Sequence, residues 1–140
     1  MTRIEINIPE KVLYETIFTI KAADINFANH MGNERILVFA NNVRTDFYKH
    51  LELLEGDWEN GHGTIVANHT VKYVSEGFLG DEIICKVGIG ALTSCSFDMV
   101  MHFVKKESNI TLALVRSAVV YFDYKERRIR ELPQSYTERF

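Results

Sequence analysis

The chain has 140 residues and a mass of 16.2 kDa, with 46% hydrophobic residues, 25% charged residues and a formal net charge of −3. Such a composition excludes disordered, collagen-like and coiled-coil classes, and the length suits one domain spanning 1–140 with its core at about 12–133. The weakly acidic balance excludes a nucleic-acid surface, which needs a concentrated basic face.

The opening MTRIEINIPEKV alternates and carries charge, without the apolar stretch of a secretory signal. Apolar runs such as Ile36 to Ala40 are far too short to cross a bilayer. Cys85 and Cys95 have no CxxC partner and no ligand spacing, so they read as small apolar strand residues of a reducing compartment. A cytoplasmic protein with no membrane partner is expected.

In chain order, Val12 to Lys21 is rich in β-branched and aromatic residues and predicts a strand. Ala22 to Asn33 (AADINFANHMGN) breaks every period and predicts a loop. From Glu34, apolar residues recur at Ile36, Ala40, Val43, Phe47, Leu51 and Leu54, in steps of three and four. That stripe predicts a helix over 34–54 of about five turns, with Asn33 as N-cap and Gly56 as stop. Period two then takes over, predicting strands at 64–74, 82–90, 94–104 and 110–124. One strand, one long helix and four strands make an α+β plan. Short connections among the last four strands suggest an antiparallel meander wrapped around the one helix.

This order, with DINFANHMGN between the first strand and the helix, resembles the hot-dog fold acyl-CoA thioesterases of the 4-hydroxybenzoyl-CoA thioesterase group. Their common pattern is D-x-D-x-x-G-H-V-N-N followed by a helix containing E-A-R. Asp24, Asn26, His30 and Asn33 fall on the first D, the second D, the H and the last N, and Arg44 falls on the helix Arg. VKYVSEGFLGDEI is similar to V-x-Y-x-x-P-x-x-x-G-D-x-L, with Glu76 standing where Pro or a small residue is usual. Leu132-Pro133 matches a closing I-P. The resemblance implies an antiparallel sheet of five or six strands around a central helix. It also implies a homodimer or tetramer, with the strand from Gly63 to Val74 pairing with its two-fold mate.

The implied activity is hydrolysis of an acyl-CoA or acyl-carrier thioester, with CoA part of the substrate and neither cofactor nor metal. The second D of the pattern is the usual catalytic carboxylate, and here it is Asn26, which has no basic lone pair near neutral pH. Asn42 stands where relatives often place Glu. Enediyne-type polyketide thioesterases resemble this chain in having Asn at the loop position and a helix Arg, as Asn26 and Arg44 do. The candidate catalytic residues are therefore Asn26 to orient water, His30 as base or leaving-group acid, Arg44, and Asp24. The helix N-terminus at Met31, Gly32, Asn33 and Glu34 offers N–H groups as an oxyanion hole.

His69 and Trp58 are candidates for the substrate pocket. His62 and His69 have no third ligand in sequence, which argues against a metal site. Lys125, Arg127, Arg128 and Arg130 form a basic run for a nucleotide or, more simply, an exposed tail. Two other readings stay open. One is a non-catalytic acyl-thioester binding module, because the usual carboxylates are missing. The other is a hot-dog dehydratase-type lyase, for which Asp24 and His30 are the available pair.

Overall fold

The structure, a computed structural model, describes residues 3–140. Strand β1 (Tyr14–Thr19) and a 3₁₀ turn (Ala22–Asp24) lead through the loop into helix α1 (Arg35–His50). Five further strands follow: β2 (Gly56–Asp57), β3 (His62–Tyr73), β4 (Glu82–Leu92), β5 (Ser96–Lys105) and β6 (Thr111–Asp123). A short β7 (Arg128–Ile129) and one-turn α2 (Gln134–Thr137) close the chain.

The strands form one antiparallel sheet in the order β1-β4-β5-β6-β3-β2, with β7 alongside β6. Five strands are long, and β2 and β7 add two residues each. The expected meander holds only for β4-β5-β6. Strand β3 does not pair with β4; it crosses to the far side of β6, where His69 faces Ser117 and Tyr73 faces Ala113. Eight residues between β3 and β4 make that crossing possible, whereas the shorter β4–β5 and β5–β6 links permit hairpins. Among the described residues, the outer edge of β3 has no partner strand beyond β2, which touches only His62 and Gly63.

One face of α1 enters the concave side of the sheet. Ile36, Ala40, Val43, Phe47 and Tyr48 are buried there against Phe97, Met99, Met101, Phe103, Val115 and Val119. Alternation along β5 and β6 sends Val100 and Leu114 to the other side, where Ile6 of the N-terminal segment covers them. Gly88 makes that crossing possible, since a Cβ there would lie 2.4 Å from the Pro9 Cβ. Cys85 is buried and both cysteines are free thiols.

Both helix ends differ from the sequence expectation. The N-cap is Glu34, without a side-chain cap bond, and Asn33 lies one residue outside. The helix stops at His50, well before Gly56. Glu52 takes a left-handed conformation (φ 57°), its N–H reaches Lys49 O at 3.1 Å, and Leu53 N–H reaches Tyr48 O at 2.8 Å. This is a Schellman closure with Glu in the place usually held by Gly. Leu53 is consequently buried and Leu54 is 74% exposed, so the last member of the predicted stripe leaves the core. Among the described residues, no helix is long and apolar enough to cross a membrane.

Candidate active site at the helix N-terminus

The loop between β1 and α1 is held from both sides. Asp24 is buried, and its carboxylate accepts the Lys21 N–H and the Arg35 Nε–H, each at 2.9 Å. The 3₁₀ turn is thereby tied to the first residue of α1. Asp24 was a catalytic candidate and one half of the acid–histidine pair that a lyase would need. Its carboxylate is engaged with Arg35, and it does not line the cavity described next.

From Ile25 the loop doubles back on itself. Ile25 bridges Met31, and Asn26 N–H donates to His30 O at 2.9 Å. Asn29 accepts a left-handed conformation (φ 63°), as Asn readily does, and Phe27 stands fully exposed at the tip. The Asn26 side chain accepts the Ala28 N–H at 3.0 Å, an Asx turn. Because that N–H can only donate, the atom facing it is Oδ1. Among the described residues, the Nδ2 amide hydrogens and the second Oδ1 lone pair have no partner.

Asn26, His30, Met31 and Asn33 line a cavity of about 190 Å³ together with Tyr73, Ser75, Glu76, Gly77, Leu112 and Ala113. Asn33, Tyr73 and Glu76 are exposed and form its rim, whereas Met31, Gly77, Leu112 and Ala113 are buried and form its floor. His30 Nδ1 lies 3.1 Å from Met31 O. A carbonyl can only accept, so this contact makes Nδ1 the donor, and in the neutral ring Nε2 then carries the lone pair. Tyr73 donates its hydroxyl to Asn33 O at 2.8 Å, joining β3 to the helix entrance. Partial burial, with Glu34 nearby, raises the pKa of that phenol, which keeps the proton this bond requires.

Two of the four expected oxyanion donors are already committed. Met31 N–H donates to Gly77 O at 2.7 Å and Gly32 N–H to Asp24 O at 2.9 Å. Among the described residues, the N–H groups of Asn33 and Glu34 have no such acceptor. They remain at the positive end of the α1 dipole. The expected anion site therefore narrows from four residues to two.

The other candidates lie elsewhere. Arg44 donates to Asn41 Oδ1 at 2.9 Å and to Glu55 at 3.4 Å, more than two helical turns beyond the cavity. His69 Nδ1 is 2.7 Å from the hydroxyl of buried Ser117, and partial burial, then the Arg44 charge, lowers its pKa. His62 bonds the Tyr121 hydroxyl at 3.0 Å, so the two histidines have separate partners. Trp58 is 68% exposed, packs over Gly56 and beside Tyr124, and does not line this cavity. In the basic run, Arg130 pairs with Asp123 at 3.1 Å and Arg127 covers the Phe122 ring. Tyr73, Ser75, Glu76, Gly77, Leu112 and Ala113 line the cavity and were not among the sequence candidates. The signal for Glu76 was its departure from the family pattern.

Residues 20–140 match the thioesterase-like superfamily, and the chain belongs to that family. No curated protein sequence matches it. Among solved structures, it is similar to a 1,4-dihydroxy-2-naphthoyl-CoA thioesterase from Synechocystis, with a TM-score of 0.83 and 15% identity over 90% of this chain and 93% of that one. A Staphylococcus aureus protein in complex with CoA gives 0.82 and 17% over 96% of this chain and 85% of that one. The 12:0-ACP thioesterase from Umbellularia californica gives 0.79 and 14%, over 90% of this chain but 48% of that one. The fold is therefore the hot-dog fold, with the sheet curled about α1.

Proposed function

We propose that the protein hydrolyses an acyl-CoA or acyl-carrier thioester in the cavity at the N-terminal end of α1. Family membership supports thioester hydrolysis in general terms. The observation that carries the reading is the convergence of Asn26, His30 and Glu76 on one cavity beside the free N–H groups of Asn33 and Glu34.

In this reading the thioester carbonyl meets those two N–H groups, which stabilise the oxyanion as it forms. Water is held by the second lone pair of Asn26 Oδ1, and the Asx turn fixes the amide in place. Glu76, the one carboxylate lining the cavity, takes the proton and supplies the base that Asn26 cannot be. His30 Nε2, free because Nδ1–H is spent on Met31, is the route by which that proton reaches the departing thiolate. The free edge of β3 carries Tyr73 at the rim, so a second copy pairing along Thr64 to Tyr73 would complete the wall of the site.

Release of free thiol from a panel of acyl-CoA and acyl-carrier substrates tests the reading, with sedimentation reporting the oligomer. Turnover by a dimer is expected. Binding of intact thioesters without thiol release would favour the non-catalytic module, and a monomer at micromolar concentration would remove the shared wall.

A further inference from the structure

The floor of the cavity bears on the substrate, provided that the thioesterase reading holds. Its volume is about 190 Å³. A dry apolar cavity of about 150 Å³ is filled by one six-carbon benzene molecule, so the space here holds about six or seven carbons. The floor cannot deepen easily. A Cβ built on Gly77 would lie 2.6 Å from Ile20 Cδ1, 3.3 Å from Leu112 Cδ1 and 3.4 Å from Met31 Cβ. Ile20 and Leu112 are each 1% exposed, so behind the floor lies close-packed core.

The floor also shows which end of a thioester it takes. Three of its backbone groups are already paired, with Met31 N–H on Gly77 O and Leu112 O accepting from both Val74 and Ser75 N–H. A pantetheine arm placed there would bury two amides, each with a donor and an acceptor, against Met31, Leu112 and Ala113, more polar groups than the floor can pair, at considerable cost. An apolar acyl group meets no such penalty. The polar rim of Asn26, His30, Asn33, Tyr73, Ser75 and Glu76 suits the thioester and the arm leading outward.

We propose that the site accepts only short acyl groups, of up to about six or seven carbons, as a chain or a single ring. Leu112 and Gly77 set the limit. The test compares kcat/KM for butyryl-, hexanoyl-, benzoyl-, octanoyl-, dodecanoyl- and hexadecanoyl-CoA. It also measures the affinity of butyl, hexyl and dodecyl thioethers of CoA, which cannot be hydrolysed. The optimum is expected at hexanoyl or benzoyl, with dodecanoyl at least about tenfold slower, since one methylene too many already costs on that order.

Leu112→Ala should raise the octanoyl-to-hexanoyl ratio severalfold. Leu112→Val makes the same test more gently if the alanine variant does not fold. Hydrolysis with an optimum at dodecanoyl or longer overturns the size limit and leaves the thioesterase reading intact. No hydrolysis, with hexyl thioether bound tighter than dodecyl, keeps the limit and removes the hydrolase. Affinity rising steadily to dodecyl without hydrolysis overturns both.

Discussion

The two ends of α1 solve the same problem in opposite ways. The C-terminal end is the closed one. The Schellman turn at Glu52 satisfies the carbonyls of Tyr48 and Lys49, and Tyr136 donates its hydroxyl to Leu54 O. Phe47 sits among Tyr14, Tyr48 and Phe140, with ring centroids 5.9–6.5 Å apart. At the N-terminal end, the Asn33 N–H and the Asn26 amide are left open at a cavity, with the Glu34 N–H next in the chain and a histidine and a carboxylate beside them. Aromatic packing is concentrated at the closed end, where the buried Tyr48 hydroxyl has no partner, and polarity open to a cavity lies at the other. Substitutions should divide accordingly.

The largest effect is expected at the open end. Glu76→Gln should lower kcat by about 10²- to 10⁴-fold, the usual contribution of a general base, while leaving the urea midpoint close to that of the parent. Steady-state kinetics beside equilibrium unfolding would show whether the two separate. At the closed end Phe47→Ala should cost about 3–5 kcal/mol of stability, with kcat per folded molecule retained. A parallel loss of kcat and stability in both variants would erase the contrast between the ends.

Asp24→Asn sharpens the boundary between them. It weakens a buried charge-assisted pair with Arg35, at a cost of about 1–3 kcal/mol in chemical denaturation. Because Asp24 positions the loop rather than touching substrate, Asp24→Asn should lower kcat far less than Glu76→Gln.

A smaller effect follows from His69. Its folded-state pKa lies below the ordinary histidine value, through partial burial and then the Arg44 charge. The unfolded chain therefore binds a proton more readily. Stability from this site is complete above the ordinary histidine pKa and declines as pH falls through it toward the folded value. Urea midpoints from pH 7.5 down to 5.5 should drop less in His69→Gln than in the parent.

Much of the closed end was legible in the sequence. The stripe Ile36, Ala40, Val43 and Phe47 is a helix buried on one face, and the period-two segments are strands. Its exact closure was not legible, because nothing local distinguishes Glu52 as left-handed; Leu53 burying itself against the core decides it. The partner of β3 was hidden for a similar reason. Alternation predicts a strand but not its neighbour, and only the long 74–81 connection hints at the crossing. At the open end Asn26 and His30 could be named from the loop. Glu76 could not, since it reaches the cavity only when β3 is laid beside β6 and Gly77 O receives Met31 N–H.

The central claim is that the open end of α1 turns over thioesters through Asn26, and one experiment meets it directly. Single-turnover thiol release from hexanoyl-CoA should be compared for the parent, Asn26→Ala and Asn26→Asp. Loss of one oriented contact to the transition state predicts a fall of about 10- to 10³-fold in Asn26→Ala, with binding of the hexyl thioether nearly unchanged. Asn26→Asp, which places a second carboxylate in the same cavity, should add an ionisation to the pH–rate profile. Turnover by Asn26→Ala as fast as the parent would contradict the claim.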